Sequence, residues 1–216
     1  MKKKTDISQV RFKYKKDALD IKNSASNPFK QFNKWMKEAI RNKVFEPTAM
    51  SLSTVNKKNK ISNRIVLLKG LEKNNFIFYT NLKSRKSYEL NENKNVAAVF
   101  WWPQIGKQVR IEGYVKIVKK KDADEYFSTR SRKSQISAWA SNQSSVLKDR
   151  EELYKRIKII EKRFENKDVI RPIFWSGYLI NPFLFEFWQA RKNRLHDRIV
   201  YKKINQKKWK KYRLNP

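Results

Sequence analysis

Ala49-Met50-Ser51-Leu52-Ser53-Thr54-Val55, then Arg64-Ile65-Val66-Leu67-Leu68-Lys69, then Phe76-Ile77-Phe78-Tyr79-Thr80: three strand-like runs follow one another with no helical pattern between them. The first alternates small and apolar residues. The second is β-branched and apolar, with a charge at each end. The third is aromatic and apolar. A polar turn occupies 56–60. Upstream, Asn27-Pro28 offers an N-cap followed by proline in the first turn, so a helix starts there. Phe29, Phe32, Met36 and Ile40 recur at helical spacing and are expected to face a core. Downstream, the pattern predicts a helix over 84–91, a buried strand over 96–102 and a long strand over 108–118. Helical patterns follow at 122–130 and at 150–164, where Leu153, Ile157, Ile160 and Phe164 share a face. Strands return at 174–180, 184–189 and 198–204, with a short one at 209–213. Runs of strands with helices at the margins, and no regular β-α alternation, give an α+β class built on an antiparallel sheet or barrel. Residues 1–26 read as a flexible arm, anchored if anywhere at Arg11-Phe12-Lys13-Tyr14. Residues 27–216 read as one domain.

Composition narrows the function. The chain has no cysteine and a single histidine, His196, which excludes disulfides, a thiol nucleophile and a histidine-rich metal site. No run approaches the ~18 apolar residues of a membrane span, and no apolar stretch follows the basic N-terminus as in a secretory signal. A cytoplasmic protein is expected. The net charge of +32 suggests nucleic acid. It is spread along the chain, however, and is mostly lysine, 37 Lys against 15 Arg. A basic patch would be more concentrated, so the arginines carry the information. With four glycines there is no glycine-rich phosphate loop, and any nucleotide must be gripped by side chains.

Four clusters could do chemistry. On a strand of period two, Arg64, Val66 and Leu68 share one face and Ile65, Leu67 and Lys69 the other, so one strand could serve two anions; a core strand with solvated ends is the alternative. Tyr79-Thr80-Asn81-Leu82-Lys83-Ser84-Arg85-Lys86 runs from strand hydroxyls into a basic helix start, which suits a phosphate or is simply a polar loop. Tyr126, Arg130 and Ser134 would share a face of one continuous helix and could hold a second phosphate, with Gln143-Ser144 beyond. Trp188 with Arg194, His196 and Arg198 is either a ring site or a surface salt-bridge cluster.

Together, in this order, these segments resemble the pyridoxamine 5′-phosphate oxidase family. The resemblance also rests on Ser134-Gln135-Ile136-Ser137-Ala138-Trp139, on Glu186-Phe187-Trp188-Gln189 and on Arg194-Leu195-His196-Asp197-Arg198. It implies an FMN-binding split β-barrel with peripheral helices, and a homodimer with FMN at the subunit interface. It implies oxidation of pyridoxamine and pyridoxine 5′-phosphate to pyridoxal 5′-phosphate, with oxygen as acceptor, giving hydrogen peroxide and, from the amine, ammonia. FMN would be held by Arg64, Ile65, Val66, Leu67, Leu68, Lys69, Tyr79, Thr80, Arg85, Lys86, Gln108, Gln143, Ser144, Trp188 and Arg198. The substrate phosphate would meet Lys69, Tyr126, Arg130 and Ser134. Arg194, Leu195 and His196 would line the ring site, Arg194 and His196 as the catalytic pair, and Arg11, Phe12, Lys13 and Tyr14 would fold over the substrate. Ser137, Ser176-Gly177 and Ala190-Arg191 depart from the family pattern at loop positions. Two rivals remain: a nucleic-acid-binding module, and a split-barrel flavin protein with another substrate. No membrane or specific nucleic-acid partner is expected.

Overall fold

The computed structural model describes residues 18–206 and 208–216; the 11–14 segment lies outside them. Helix α1 (Pro28–Arg41) begins where Asn27 Oδ1 accepts from the Phe29 and Lys30 amides, and its first helical residue is the proline. Strands β1 (Ala49–Val55), β2 (Ile61–Leu67), β3 (Gly70–Glu72) and β4 (Asn75–Asn81) follow, then α2 (Arg85–Glu92), β5 (Asn95–Trp102) and β6 (Lys107–Ile117). Helices α3 (Lys120–Ser128), α4 (Arg132–Ala140) and α5 (Arg150–Arg163) come next, and β7 (Trp175–Gln189), β8 (Asp197–Lys203) and β9 (Trp209–Leu214) close the chain. The strands hydrogen-bond in the order β2-β1-β5-β6-β7-β4-β3, with β8 on β7 and β9 on β8. The registers of β1 with β2 and β5, β4 with β3 and β7, and β8 with β7 and β9 are all antiparallel. Among the described residues no helix is long and apolar enough to cross a membrane.

The chain forms two compact units. One contains the described residues up to Pro47, residues 100–110 and residues 184–216; the other contains 48–99 and 111–183. In the first, α1 buries Phe29, Phe32, Trp35, Met36 and Ala39. Its rings meet sheet rings edge-on: Phe29 on Phe185 at 5.0 Å, Phe32 on Phe100 at 5.0 Å, Trp35 on Phe187 at 5.2 Å. Ile40, expected in this core, is 56% exposed, because the helix turns its Trp35–Ala39 side inward instead. Residues before α1 are tied to the last strands: the Leu19 amide donates to Asp197, and the Tyr201 hydroxyl donates to the Ala25 carbonyl. In the second unit Phe127, Ile136, Phe164, Val169 and Trp175 form a cluster, flanked by Ile157 and Ile160 of α5.

Other departures from the sequence reading have local causes. The two strands expected at 174–180 and 184–189 are one strand, β7, which carries Pro182 without a break. The 96–102 run is a strand but alternates, with Trp101 exposed. The continuous helix that would have set Tyr126, Arg130 and Ser134 on one face is not formed; two helices stand there. α3 stops at Ser128, and Ser131 caps α4 by accepting from the Ser134 amide. The serine at 131 competes for backbone donors and favours a new N-terminus over continuation.

Candidate active site

The second unit holds a cavity of about 670 Å³ walled by β2, the end of β4, the start of α2, the α3–α4 link and residues 141–144. Strand β2 delivers Arg64, Ile65, Val66 and Leu67 to it, and Lys69 follows just beyond the strand. Residues of both strand faces therefore border one cavity. Leu68 does not line it; it is buried, with its amide donating to Thr48.

At one pole are Arg64, Arg85 and Lys86. Lys86 is buried, and its ammonium donates to Thr80 Oγ1 at 3.0 Å and Ser84 Oγ at 3.2 Å. Burial, reinforced by the nearby Arg64 charge, pulls its pKa down to about 8 although Glu89 acts the other way. Gln143 reaches this pole from far along the chain: its Oε1 accepts from Thr80 Oγ1 and from the Asn81 amide, each at 3.2 Å. Ser144 beside it adopts a left-handed φ of 71°.

At the other pole the rings of Tyr126, Tyr79 and Trp175 are parallel. Tyr79 lies 3.9 Å from Tyr126 and 5.3 Å from Trp175, between centroids. Gly177 makes room for this: it pairs with Tyr79 across β4 and β7, and a Cβ there would fall 2.8 Å from both the Phe78 carbonyl oxygen and the Tyr79 ring. Burial, then the neighbouring Tyr126, pushes the Tyr79 phenol up to about 12. The Arg130 guanidinium stands 4.6 Å over the Trp175 ring. Its Nη1 is buried and, among the described residues, has no hydrogen-bond partner. A buried unmatched cationic donor is costly unless an acceptor from outside the chain fills it. Ser134, expected beside Tyr126 and Arg130, is not in the cavity wall; it is held in the first turn of α4 by Ser131.

The first unit carries the rest of the expected set. His196 lies against Trp188, ring centroids 4.4 Å apart, and its Nδ1 accepts from the Arg191 amide at 3.1 Å. Burial, then the Arg194 charge, lowers its pKa, so the imidazole is neutral at neutral pH. Arg194 itself follows Asn193 in left-handed backbone, and Leu195 is exposed. Arg198 donates to Glu186 Oε1 at 2.7 Å, and Arg110 donates to the other oxygen at 2.8 Å. Gln108 sits in the same strand as Arg110.

The chain matches the family model described as pyridoxamine 5′-phosphate oxidase over residues 36–163. It belongs to the pyridoxamine 5′-phosphate oxidase family. Residues 175–216 match the model described as the pyridoxine 5′-phosphate oxidase C-terminal dimerisation region. A pyridoxine/pyridoxamine 5′-phosphate oxidase of Leptospira interrogans is 45% identical over 97% of this chain and 98% of its own length. One from Rubrobacter xylanophilus is 43% identical over 98% and 97%. Among solved structures, PhzG of Burkholderia lata, in complex with tetrahydrophenazine-1-carboxylic acid, superposes with a TM-score of 0.86 at 29% identity, over 93% of this chain and 99% of that one. An FMN-binding relative from Nostoc punctiforme superposes with a TM-score of 0.72 at 16% identity over 88% and 98%, a likeness of fold. The pyridoxamine 5′-phosphate oxidase fold, an antiparallel split barrel with peripheral helices, is thus the α+β class expected from the strand runs.

Ser62, Asn63, Ser141 and Trp175 also line the cavity and were not singled out from the sequence; Asn81, Ser137 and Ala138, which line it too, appeared there only inside longer motifs. Trp175 had a signal: an aromatic opening a strand, here paired with Asn81, two residues beyond Tyr79 in β4. The serines and asparagines carried none that separates a wall from a loop.

Proposed function

We propose that this protein binds FMN and oxidises pyridoxamine 5′-phosphate and pyridoxine 5′-phosphate to pyridoxal 5′-phosphate. The observation that carries the reading is one cavity with a cationic pole at Arg64, Arg85 and Lys86, and a second at Arg130, whose buried Nη1 awaits an acceptor. Two phosphorylated, flat-ringed molecules suit two such poles. FMN, when bound, supplies the two-electron redox chemistry that no side chain here can. Arg64, Arg85, Lys86, Thr80, Gln143 and Ser144 would hold its phosphate side, with Ile65, Val66, Leu67, Lys69 and Tyr79 along the same cavity. Leu68, Gln108, Trp188 and Arg198 belong to the proposed FMN set through family resemblance alone.

Lys69, Tyr126 and Arg130 would bind the substrate phosphate, Ser134 through its part in the same link. Arg194 and His196 would orient the pyridine ring, with Leu195 beside them, and stabilise charge as the C4′ bond is oxidised. For the amine, the balance is substrate ammonium plus oxygen plus water, giving aldehyde, ammonium and hydrogen peroxide. A homodimer with FMN at the subunit interface completes the proposal; the match of residues 175–216 to a dimerisation region supports the dimer.

A substrate of the kind bound by PhzG is the second reading, favoured by the 0.86 TM-score. That ligand carries a carboxylate, which can also accept from Arg130, but no phosphate, so dependence on the phosphate separates the two readings. The test is an aerobic assay with FMN, following aldehyde and peroxide together. Equal yields of both from pyridoxamine 5′-phosphate, with pyridoxamine itself far poorer, are expected. Equal rates with and without the phosphate would overturn the assignment.

A further inference from the structure

We propose that Glu89 is a positioning residue for the cofactor phosphate: a buried carboxylate that aims Arg64 and Arg85 and sets the charge of their pole to match a phosphate monoester. The inference rests on the FMN reading above.

Glu89 is 5% exposed on the inner side of α2. Its Oε2 accepts from Thr54 Oγ1 at 2.5 Å, from Ser62 Oγ at 2.5 Å and from Arg64 Nη2 at 3.1 Å; its Oε1 accepts from Arg85 Nε at 2.9 Å. The same two hydroxyls accept from Arg64, Thr54 from Nη1 at 2.5 Å and Ser62 from Nη2. Each hydroxyl thus relays guanidinium to carboxylate. With Leu52 carbonyl oxygen accepting at 3.2 Å, both amino groups of Arg64 are engaged before any ligand arrives. With its four amino hydrogens committed, Arg64 offers the phosphate its charge and its Nε–H without reorganising.

The charge count points the same way. Arg64, Arg85 and Lys86 face one carboxylate, so the pole keeps two positive charges, the complement of a phosphate monoester near its dianionic form. The charged groups set against Lys86 are Arg64 from β2 and Glu89 from its own helix; burial and Arg64 lower its pKa to about 8, and Glu89 opposes them. The hydrogen bonds from Ser62, Thr54, Arg85 and Arg64 hold the Glu89 carboxyl at about 2 against the effect of burial, so it stays charged. A bound phosphate stabilises charged Lys86. Binding therefore takes up a proton wherever free Lys86 is neutral, and affinity falls as pH rises through about 8. Removing the Glu89 charge removes what holds the Lys86 proton, and that limb moves to lower pH.

The experiment measures the affinity of the full-length apoprotein for FMN and for riboflavin by quenching of flavin fluorescence, across neutral and alkaline pH. Wild type is expected to bind FMN far more tightly than riboflavin, with the alkaline limb on FMN alone. In Glu89→Gln that limb should shift down, with FMN binding about tenfold weaker at pH 8, the scale of one charge-assisted bond, and riboflavin unchanged. An unmoved limb with wild-type FMN affinity overturns the inference while leaving the FMN reading standing. Wild type that does not distinguish FMN from riboflavin overturns both. Should Glu89→Gln lose riboflavin binding, and so its fold, Ser62→Ala replaces it: a smaller shift in the same direction supports the role, and none overturns it.

Discussion

Lys86 and Glu89 lie one turn apart in α2, and both titrate below their ordinary values for opposite reasons. The native lysine disfavours its charge, so ligand-free stability rises as pH climbs from about 8 toward 10.5. The native carboxylate favours its charge, so its contribution is complete above pH 4.5 and is lost as pH falls toward about 2. Urea unfolding across that acid range should show a steeper loss in wild type than in Glu89→Gln; parallel curves would remove Glu89 from the acid limb. His196 is neutral at neutral pH, and on the proposed reading it orients substrate without needing a charge. Arg194→Ala and His196→Ala should each lower kcat by about tenfold or more while FMN stays bound, and near-wild-type kinetics in both would take them out of the mechanism. Arg130→Ala should mainly raise KM for the phosphorylated substrate, since phosphate is gripped alike before and during reaction. His196 stood out in the sequence by being alone. Glu89 did not, because an acidic residue in a polar helix looks like any solvated charge until the fold sets hydroxyls from two strands against it.

α1, β1 and α2 were legible because each carries its own local signal: a cap with proline, strict alternation, a polar helix after a strand. The α3–α4 break was not, because the helical spacing of Tyr126, Arg130 and Ser134 persists across it, and only the Ser131 cap decides. β3 is three residues held by pairing with β4, which no short-range pattern marks. Asn27→Ala should destabilise α1 by about 1 kcal/mol, the usual worth of an N-cap, seen as a lower midpoint in thermal unfolding. Gly177→Ala tests how β7 seats Tyr79. The added Cβ meets a backbone carbonyl that cannot step aside, so a loss of about 1–3 kcal/mol is expected, with weaker FMN binding. Unchanged stability and affinity would mean the two strands part freely there.

For the whole molecule, the sequence order of motifs pointed to the family where composition alone did not. A net charge of +32 suggested nucleic acid, while the cavity is lined by two lysines, Lys69 just past β2 and Lys86 in the first turn of α2. What the sequence left dark is how segments far apart meet, as Gln143 does with Thr80 and Asn81. A ligand that binds only the folded chain stabilises it by mass action, about 2.7 kcal/mol at a hundredfold excess over Kd. FMN should accordingly raise the thermal midpoint more than riboflavin does. The central claim, that one cavity brings a flavin and a phosphorylated pyridine together for redox chemistry, is tested most directly by anaerobic titration of the FMN-loaded protein with pyridoxamine 5′-phosphate. The account predicts that the oxidised flavin absorbance bleaches in stoichiometric steps and returns when oxygen is admitted. An absorbance that stays unchanged at saturating substrate would contradict it.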